Sequence, residues 1–538
     1  MVPMEVVGYV PGPETRDARR IRTRTSAGAI RPAKPLVLAI TVGLTLSACG
    51  TRLPNSAFVK AAGGGQGASA SQGSDATAVS GAAPAGQGGA GPAGAASASA
   101  PGAAAAAPGA APSSGAPGRG TSSGGSGPAA GAGNTASDQG VTPTSIKIGN
   151  ITAIDGALGP EAFGPTLRGL RIYIQAVNDR GGVNGRKLVL DTCDDREDGS
   201  QDLACAVKLN EQDKVFAFLD NNSDATARSA SYEYTHNVPD LGFPLNNGYD
   251  KYPNMYSLYG DQNPRDGKQV GVNGTRYLPS GLYRWFKQQR HVDKAAVFFY
   301  TIPVSQQAGY AEENGAKLEG ISTAYEGGGS HAGENPAAPS FDTDVVNMKA
   351  AGVNAVFDAI DTPANQKLCQ AMDRQGMTVA AKVSTVEVWG QAVGGWSAPC
   401  RNSIYVGGVG ADSYADQSNP GVAQFRSEFA KYCGGCPLHQ WSIDAWAGVR
   451  MFVDGVASMG ANVTRAGLEK WLDGLHAYNN HGLVVPMDFQ KVDFSKPRPD
   501  SFLVAQWQDP AGTYVTSAPL GTSYVTSWYG TPSSDDGS

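Results

Sequence analysis

Five acids of the 538-residue chain, Asp155, Asp220, Asp224, Asp361 and Glu387, fall just beyond apolar runs that read as β-strands. Lysine and arginine are nearly absent from the same segments. Carboxylates without a base beside them suit charge-assisted hydrogen bonds to an amine better than capture of a purely anionic molecule. Neutral hydrogen-bonding groups share these loops. Ser223 precedes Asp224 in Asp220-Asn-Asn-Ser-Asp-Ala-Thr226, which opens a helical pattern whose free backbone amides can receive a carboxylate. Asp155 lies among small residues that permit close backbone approach (Ile154-Asp-Gly-Ala-Leu-Gly159), and Tyr300 begins a further loop.

Signatures of catalysis are missing. There is no HExxH, no Walker loop and no dinucleotide fingerprint at the first strand, and the six histidines are scattered without a nucleophile pattern. The residues therefore point to a binding protein, not an enzyme, with no metal and no cofactor. Gly120-Thr-Ser-Ser-Gly124 matches a hydrolase elbow in letters only, because it lies where no strand-to-helix turn can form. Asp194-Asp-Arg-Glu-Asp-Gly199 resembles a calcium loop, but Arg196 stands where an oxygen donor is required; a solvated loop is expected. The formal net charge of -6 argues against nucleic acid as a partner.

Alternating strand and helix signals begin at Ser145 and predict an α/β fold. Strands are expected at 145–152, 187–192, 215–219 and 238–243, with helices between them. After a helix at 280–289 the rhythm repeats, with strands at 295–300, 353–359, 378–384 and 403–408. Helices near 421–432 and around Trp441, Trp446 and Phe452 follow, then a late strand at 501–507. Two runs of βαβ units imply two doubly wound parallel-sheet lobes. In such sheets ligands bind beyond the carboxyl ends of the strands, where the acids lie.

The N-terminal quarter has another character. A basic stretch precedes an apolar run from Pro35 to Cys49, too short to span a bilayer and shaped like an export signal. Its end, Leu46-Ser-Ala-Cys49, resembles the lipobox of bacterial lipoproteins, which implies lipidation of Cys49. From Ala61 to Gly140 the chain is dominated by Gly, Ala, Ser and Pro and has no aromatic residue, so it cannot bury a core and reads as a disordered tether.

Ile148-Gly-Asn-Ile-Thr-Ala-Ile-Asp-Gly156, and a helix followed by Asn178-Asp-Arg-Gly-Gly-Val-Asn-Gly-Arg-Lys187, resemble type I periplasmic binding proteins of the branched-chain amino-acid-binding family. The likeness runs with gaps from about residue 144 to 516. It implies two lobes joined by a three-crossover hinge and closing on a small ligand. The expected organisation is a signal peptide at 1–48, a tether at 49–143, a first lobe at 144–291 and 404–475, a second at 292–403 and 476–520, and a disordered tail at 521–538. Ser223 falls where the family has a ligand-binding serine, and Asn246 and Asn247 where it has a polar loop for the ligand carboxylate. Glu387 falls where it commonly has a carboxylate for the ligand ammonium, and Trp389 joins the candidate contacts. Each has a plainer use: Ser223 and Asp224 as helix caps, Asn247 as a turn residue, Glu387 as a solvated acid and Trp389 as packing.

Besides Cys49 there are six cysteines, an even number that in an exported domain suggests three disulfides. Sequence order favours Cys193–Cys205, Cys369–Cys400 and Cys433–Cys436. The last pair, Cys433-Gly-Gly-Cys436, also suits redox chemistry or, with His439, zinc. The combined expectation is a monomeric extracytoplasmic lipoprotein, anchored to the outer face of the cell membrane. It would capture an amino acid or related amine by lobe closure and deliver it to the permease subunits of an ABC importer. The alternative is a ligand-sensing receptor module with no transport role. If the lipobox functions, Cys49→Ala releases the protein from membranes or leaves its precursor uncleaved; fractionation showing normal cleavage and full membrane retention would refute it.

Overall fold

The structure, a computed structural model, describes residues 133–156, 158–225 and 228–533, all within one compact unit spanning 117–538. Cys49, the expected signal peptide and all but the end of the expected tether lie outside the described residues.

The first lobe opens with β1 (Ser145–Ile151), α1 (Pro160–Asp179), β2 (Lys187–Cys193), α2 (Gly199–Val207), β3 (Ala217–Leu219), α3 (Arg228–Thr235), β4 (Asp240–Gly242) and β5 (Met255–Ser257). The strands form a wholly parallel sheet in the order β2-β1-β3-β4-β5. Ile148, Asn150 and Ile151 of β1, which include residues pointing to opposite faces, are all buried, as expected of a sheet covered on both faces. Proline at the first turn starts α1, and the predicted stripe of Phe163, Leu167, Leu170, Ile174 and Val177 is buried.

The chain then crosses to a second lobe: β6 (Thr275–Pro279), α4 (Gly281–Arg290), β7 (Lys294–Phe299), α5 (Pro303–Leu318), β8 (Ser322–Glu326), α6 (Asp342–Ala351), β9 (Ala355–Ala359), α7 (Thr362–Arg374), β10 (Ala381–Ser384), α8 (Ala398–Arg401) and β11 (Ile404–Gly408). It returns for α9 (Pro420–Tyr432), α10 (Gln440–Met459) and α11 (Arg465–Asp473), and crosses a third time into β12 (Arg498–Gln508), β13 (Thr513–Thr526) and β14 (Trp528–Pro532). The second sheet runs β13-β12-β11-β10-β9-β7-β8; β12 and β13 are antiparallel additions to a parallel core, and β14 pairs with β6. α10 packs on α1 through Phe163 stacked on Trp441 at 5.5 Å and Tyr173 edge-on to Trp446 at 4.5 Å.

Five expected boundaries are corrected. The body starts before 144: Val141 is buried and bridged to Ile146, and Arg186 donates to the Thr135 carbonyl. Helix α4 belongs to the second lobe, because Trp285 and Phe286 pack into a core with Val297, Phe357 and Val504. Strand β11 also belongs there, paired in parallel with β10, while the beginning of the segment after 476, before β12, stays with the first lobe, Asn480 donating to Ala447 of α10. The tail from 521 is not wholly irregular, since β13 runs to Thr526 and β14 to Pro532. Its Thr, Tyr and Val content suits a half-exposed strand despite the absence of an apolar period.

All three disulfides join the expected partners, Cys193–Cys205, Cys369–Cys400 and Cys433–Cys436. Beneath the end of the second sheet lies a buried charge. Lys382 Nζ, fully enclosed, contacts Asp358 Oδ2 at 2.7 Å and Ser384 Oγ at 2.8 Å, with Asn365 completing the network. Burial lowers the lysine pKa, and Asp358 opposes that shift. Lys382→Met, which strands the Asp358 charge, should cost about 3–5 kcal/mol of stability in chemical denaturation, whereas Lys382→Met with Asp358→Leu should recover most of it. An undisturbed Lys382→Met variant would contradict this account.

Candidate functional site

Loops at the carboxyl ends of both sheets face one another, and side chains fix each loop. After β1, the backbone N–H of Ile154 donates to Asp194 Oδ1 at 2.9 Å, that of Asp155 to Asp194 Oδ2 at 3.2 Å and that of Leu158 to Glu197 Oε1 at 2.9 Å. A β-carbon at Gly156 would lie 2.2 Å from the Glu197 carboxyl carbon, so a larger residue there would have to displace the side chain that holds Leu158. The acidic run 194–199 is only in part the solvated loop expected: Arg196 and Asp198 are exposed, but the other acids have partners inside the lobe. Asp195 is buried and Asp198 caps α2. Its acids serve as acceptors for a neighbouring loop rich in small residues, a long-range pairing that local sequence does not encode.

Ser223 accepts a hydrogen bond from the Ala225 amide at 3.0 Å and donates to Asp195, whose carboxyl burial pushes up to about 6. Asp224 is pushed up to about 7, first by burial and then by the Glu197 charge; its Oδ1 is enclosed without a hydrogen-bond partner. Asn246 accepts from the Gly248 amide at 2.9 Å, capping the turn that contains buried Asn247. Ser223 and Asn246 meet at a small internal cavity of about 20 Å³, together with Asn221, Asn222 and Tyr249. Asp155 keeps its side chain exposed at the rim.

On the second lobe, the Tyr300 hydroxyl donates to Asp361 Oδ1 at 2.7 Å, and the same oxygen accepts the Ala364 amide at 2.9 Å, capping α7. Burial, then Asp361, raises the Tyr300 pKa and keeps the phenol protonated. Glu387 lies in a short turn after β10. Its carbonyl accepts from Thr362 Oγ1 at 2.8 Å and lies 3.1 Å from His439 Nε2. Its Oε2 is enclosed without a partner, and burial pushes the carboxyl well above its usual range. The strongest charges acting on it, from Asp361, Asp224, Asp358 and Glu197, are all negative and come from both lobes. Trp389 is buried, its indole N–H without a partner among the described residues, and packs near Tyr514.

The structure therefore brings Asp224, Asp361 and Glu387 into one acidic cluster and ties Tyr300 to it through Asp361. Ser223, Asn246 and Asn247 turn inward within the first lobe, and Asp220 lies buried behind, near Asp240 and Asp444. Two contributors were missed in sequence, Glu197 and His439. His439 caps α10, its Nδ1 accepting from the Trp441 amide at 3.2 Å, so Nε2 carries the hydrogen and donates to the Glu387 carbonyl. Burial lowers its pKa to about 4, which leaves it neutral near pH 7. With Cys433 and Cys436 joined in a disulfide, the zinc arrangement weighed for His439 does not form.

A cleft lined by acids of both lobes can bind a cation and, on doing so, hold the lobes together. A sequence model described as periplasmic binding protein matches residues 145–511. Among curated proteins, the chain is 26% identical over 221 residues to a Leu/Ile/Val-binding protein homolog of Brucella abortus, covering 41% of this chain and 56% of that one. The chain thus spans about half the length of the curated relatives it matches. A fatty acid ABC transporter substrate-binding protein from Thermomonospora curvata shares the fold at TM-score 0.54 and 15% identity, covering 72% of this chain and 94% of that one. A branched-chain amino acid transporter substrate binding protein from Streptococcus pneumoniae, solved with isoleucine, does so at TM-score 0.53 and 14% identity, covering 71% and 100%.

The raised acids set a pH dependence. A neutral Asp224 favours apposed lobes because it spares Glu387 of the opposite lobe its repulsion; that advantage is present in mildly acidic solution and is lost as pH rises through about 7, where Asp224 ionises. The ligand-free chain should therefore be more compact at pH 5.5 than at pH 8 in small-angle scattering. Equal or reversed radii would show that the cluster does not govern closure.

Proposed function

Because the chain belongs to the periplasmic binding protein family, which is extracytoplasmic and composed of binding proteins, we propose that it captures an amine-bearing small molecule, an amino acid or a related amine, for an ABC importer. The observation that carries this reading is the carboxylate cluster drawn from both lobes, Asp224 and Glu197 on one side and Asp361 and Glu387 on the other. An ammonium group between them would relieve the repulsion and be worth more to the closed arrangement than to the open one, which is the requirement for ligand-driven closure. An anionic ligand alone would add to the repulsion. Attachment to the outer face of the membrane through lipidated Cys49, with the glycine-rich segment as a tether, completes the proposal and would hold the binding body near permease subunits.

Ligand screening by thermal shift against amino acids, amides, polyamines and simple carboxylates should give stabilisation by amine-bearing compounds only. With the compound so found, Glu387→Gln should weaken calorimetric affinity by roughly 1.5–3 kcal/mol, and Ser223→Ala, whose hydroxyl is engaged within the first lobe, should weaken it less. A neutral Glu387→Gln variant would refute the amine reading while leaving the binding-protein assignment intact. Deletion of the gene should abolish uptake of the same compound; uptake that persists would replace transport with a sensing role.

A further inference from the structure

Away from the cleft, on the second lobe, three metal-ligating side chains converge from separate elements. Glu313 comes from α5, Glu326 ends β8, and His331 stands in the glycine-rich loop that follows. His331 Nδ1 lies 3.4 Å from Glu326 Oε1 and 3.6 Å from Glu313 Oε2, and one ligand atom from each residue falls within 4.8 Å of the others. Ligands bound to one tetrahedral zinc at its usual bond lengths stand about 3.3 Å apart, so both imidazole-to-carboxylate separations already approach that geometry. A small change in carboxylate torsion would close the remaining gap.

The imidazole is held in position. Its ring stacks on Tyr310 with centroids 4.7 Å apart and planes 22° apart, and the Tyr310 hydroxyl donates to the His331 carbonyl at 3.1 Å. Positive φ at Gly328, Gly329 and Gly333 folds the loop back over α5. Glu313 is nearly enclosed, with Oε1 lacking a hydrogen-bond partner, and burial together with the Glu326 charge raises its pKa. A simple ion pair would need one acid; here two oppose each other over a single imidazole, an unfavourable arrangement that a divalent cation would reverse.

We propose that Glu313, Glu326 and His331 form a site for a zinc ion, with a fourth position open to water. One nitrogen and two carboxylate oxygens suit a first-row transition ion better than magnesium, which favours oxygen ligands alone. The site has a structural consequence for the cleft. The same loop ends at Glu334, whose amide donates to the Phe299 carbonyl at 2.6 Å and whose carbonyl accepts from the Thr301 amide at 3.1 Å, bracketing Tyr300. Tyr300 in turn holds Asp361. An ion at His331 would therefore fasten the loop that positions one acid of the cluster, whatever the cleft binds.

The test uses the full-length chain in detergent, prepared without a histidine tag and stripped with chelator. Zinc chloride titrated calorimetrically should bind one ion per chain and raise the melting temperature, and magnesium chloride should do neither. His331→Ala and Glu326→Gln should each weaken zinc binding at least tenfold. The His331 side chain is 63% exposed, so its loss leaves the fold intact, as an unchanged zinc-free melting temperature would verify. Should Glu326→Gln unfold, cobalt absorption of the unmutated chain and of His331→Ala supplies the second readout. Absence of zinc binding overturns the proposal, as does binding of unchanged strength in His331→Ala.

Discussion

Carboxylates of two lobes repel one another wherever the protein keeps water from between them. Glu387 and Asp361 belong to one lobe, Asp224 and Glu197 to the other, and their mutual repulsion adds to the cost of burial in raising Glu387 and Asp224. Protons or a cationic group must supply the missing positive charge whenever the lobes come together. In the proposed mechanism the lobes move as bodies about the three chain crossovers, and the charge balance between them biases which arrangement is populated.

Much of the surrounding structure serves to keep those acids in place. Asp194 and Glu197 accept amides of the loop after β1, Asp361 is locked by Tyr300 and the first turn of α7, and the Glu387 carbonyl is gripped by Thr362 and His439. His439 belongs to α10 of the first lobe, and the Gln440 amide also donates to the Trp389 carbonyl at 2.9 Å. One helix start thus joins the first lobe to the loop bearing Glu387. A neutral imidazole suits this post, since a second donor proton would cost it the bond from the Trp441 amide.

What was legible in the sequence was what local pattern encodes. The stripe from Phe163 to Val177, the apolar strands and the small-residue loops at their ends follow from periodicity and turn chemistry, and all three disulfides pair in chain order. What was not legible depends on partners distant in the chain. Strand β11 carries no mark of which sheet it joins, and β13 lacks an apolar period because it lies at a sheet edge. Glu197 looked like a solvated acid, since nothing nearby announces that its acceptor oxygen meets Leu158. Likewise, Ser223 has the right position for a ligand contact, yet its hydroxyl is engaged by Asp195 and the Ala225 amide.

That engagement bears on how the two ends of a ligand would be recognised. On the proposed function, a cationic end would meet acids whose oxygens are enclosed and lack partners, as with Glu387 Oε2 and Asp224 Oδ1, so its recognition would rest on charge. For an anionic end, the polar side chains expected on the first lobe are already engaged: Ser223 has a donor and an acceptor, and Asn246 caps its own turn. A carboxylate would have to rely on backbone amides at the start of the helix after β3, a neutral receptor weaker than a guanidinium. On the proposed function, this asymmetry would make the amine the part of the ligand that determines affinity and leave the other end free to vary, so selectivity among amines would come from shape, not from a second charge.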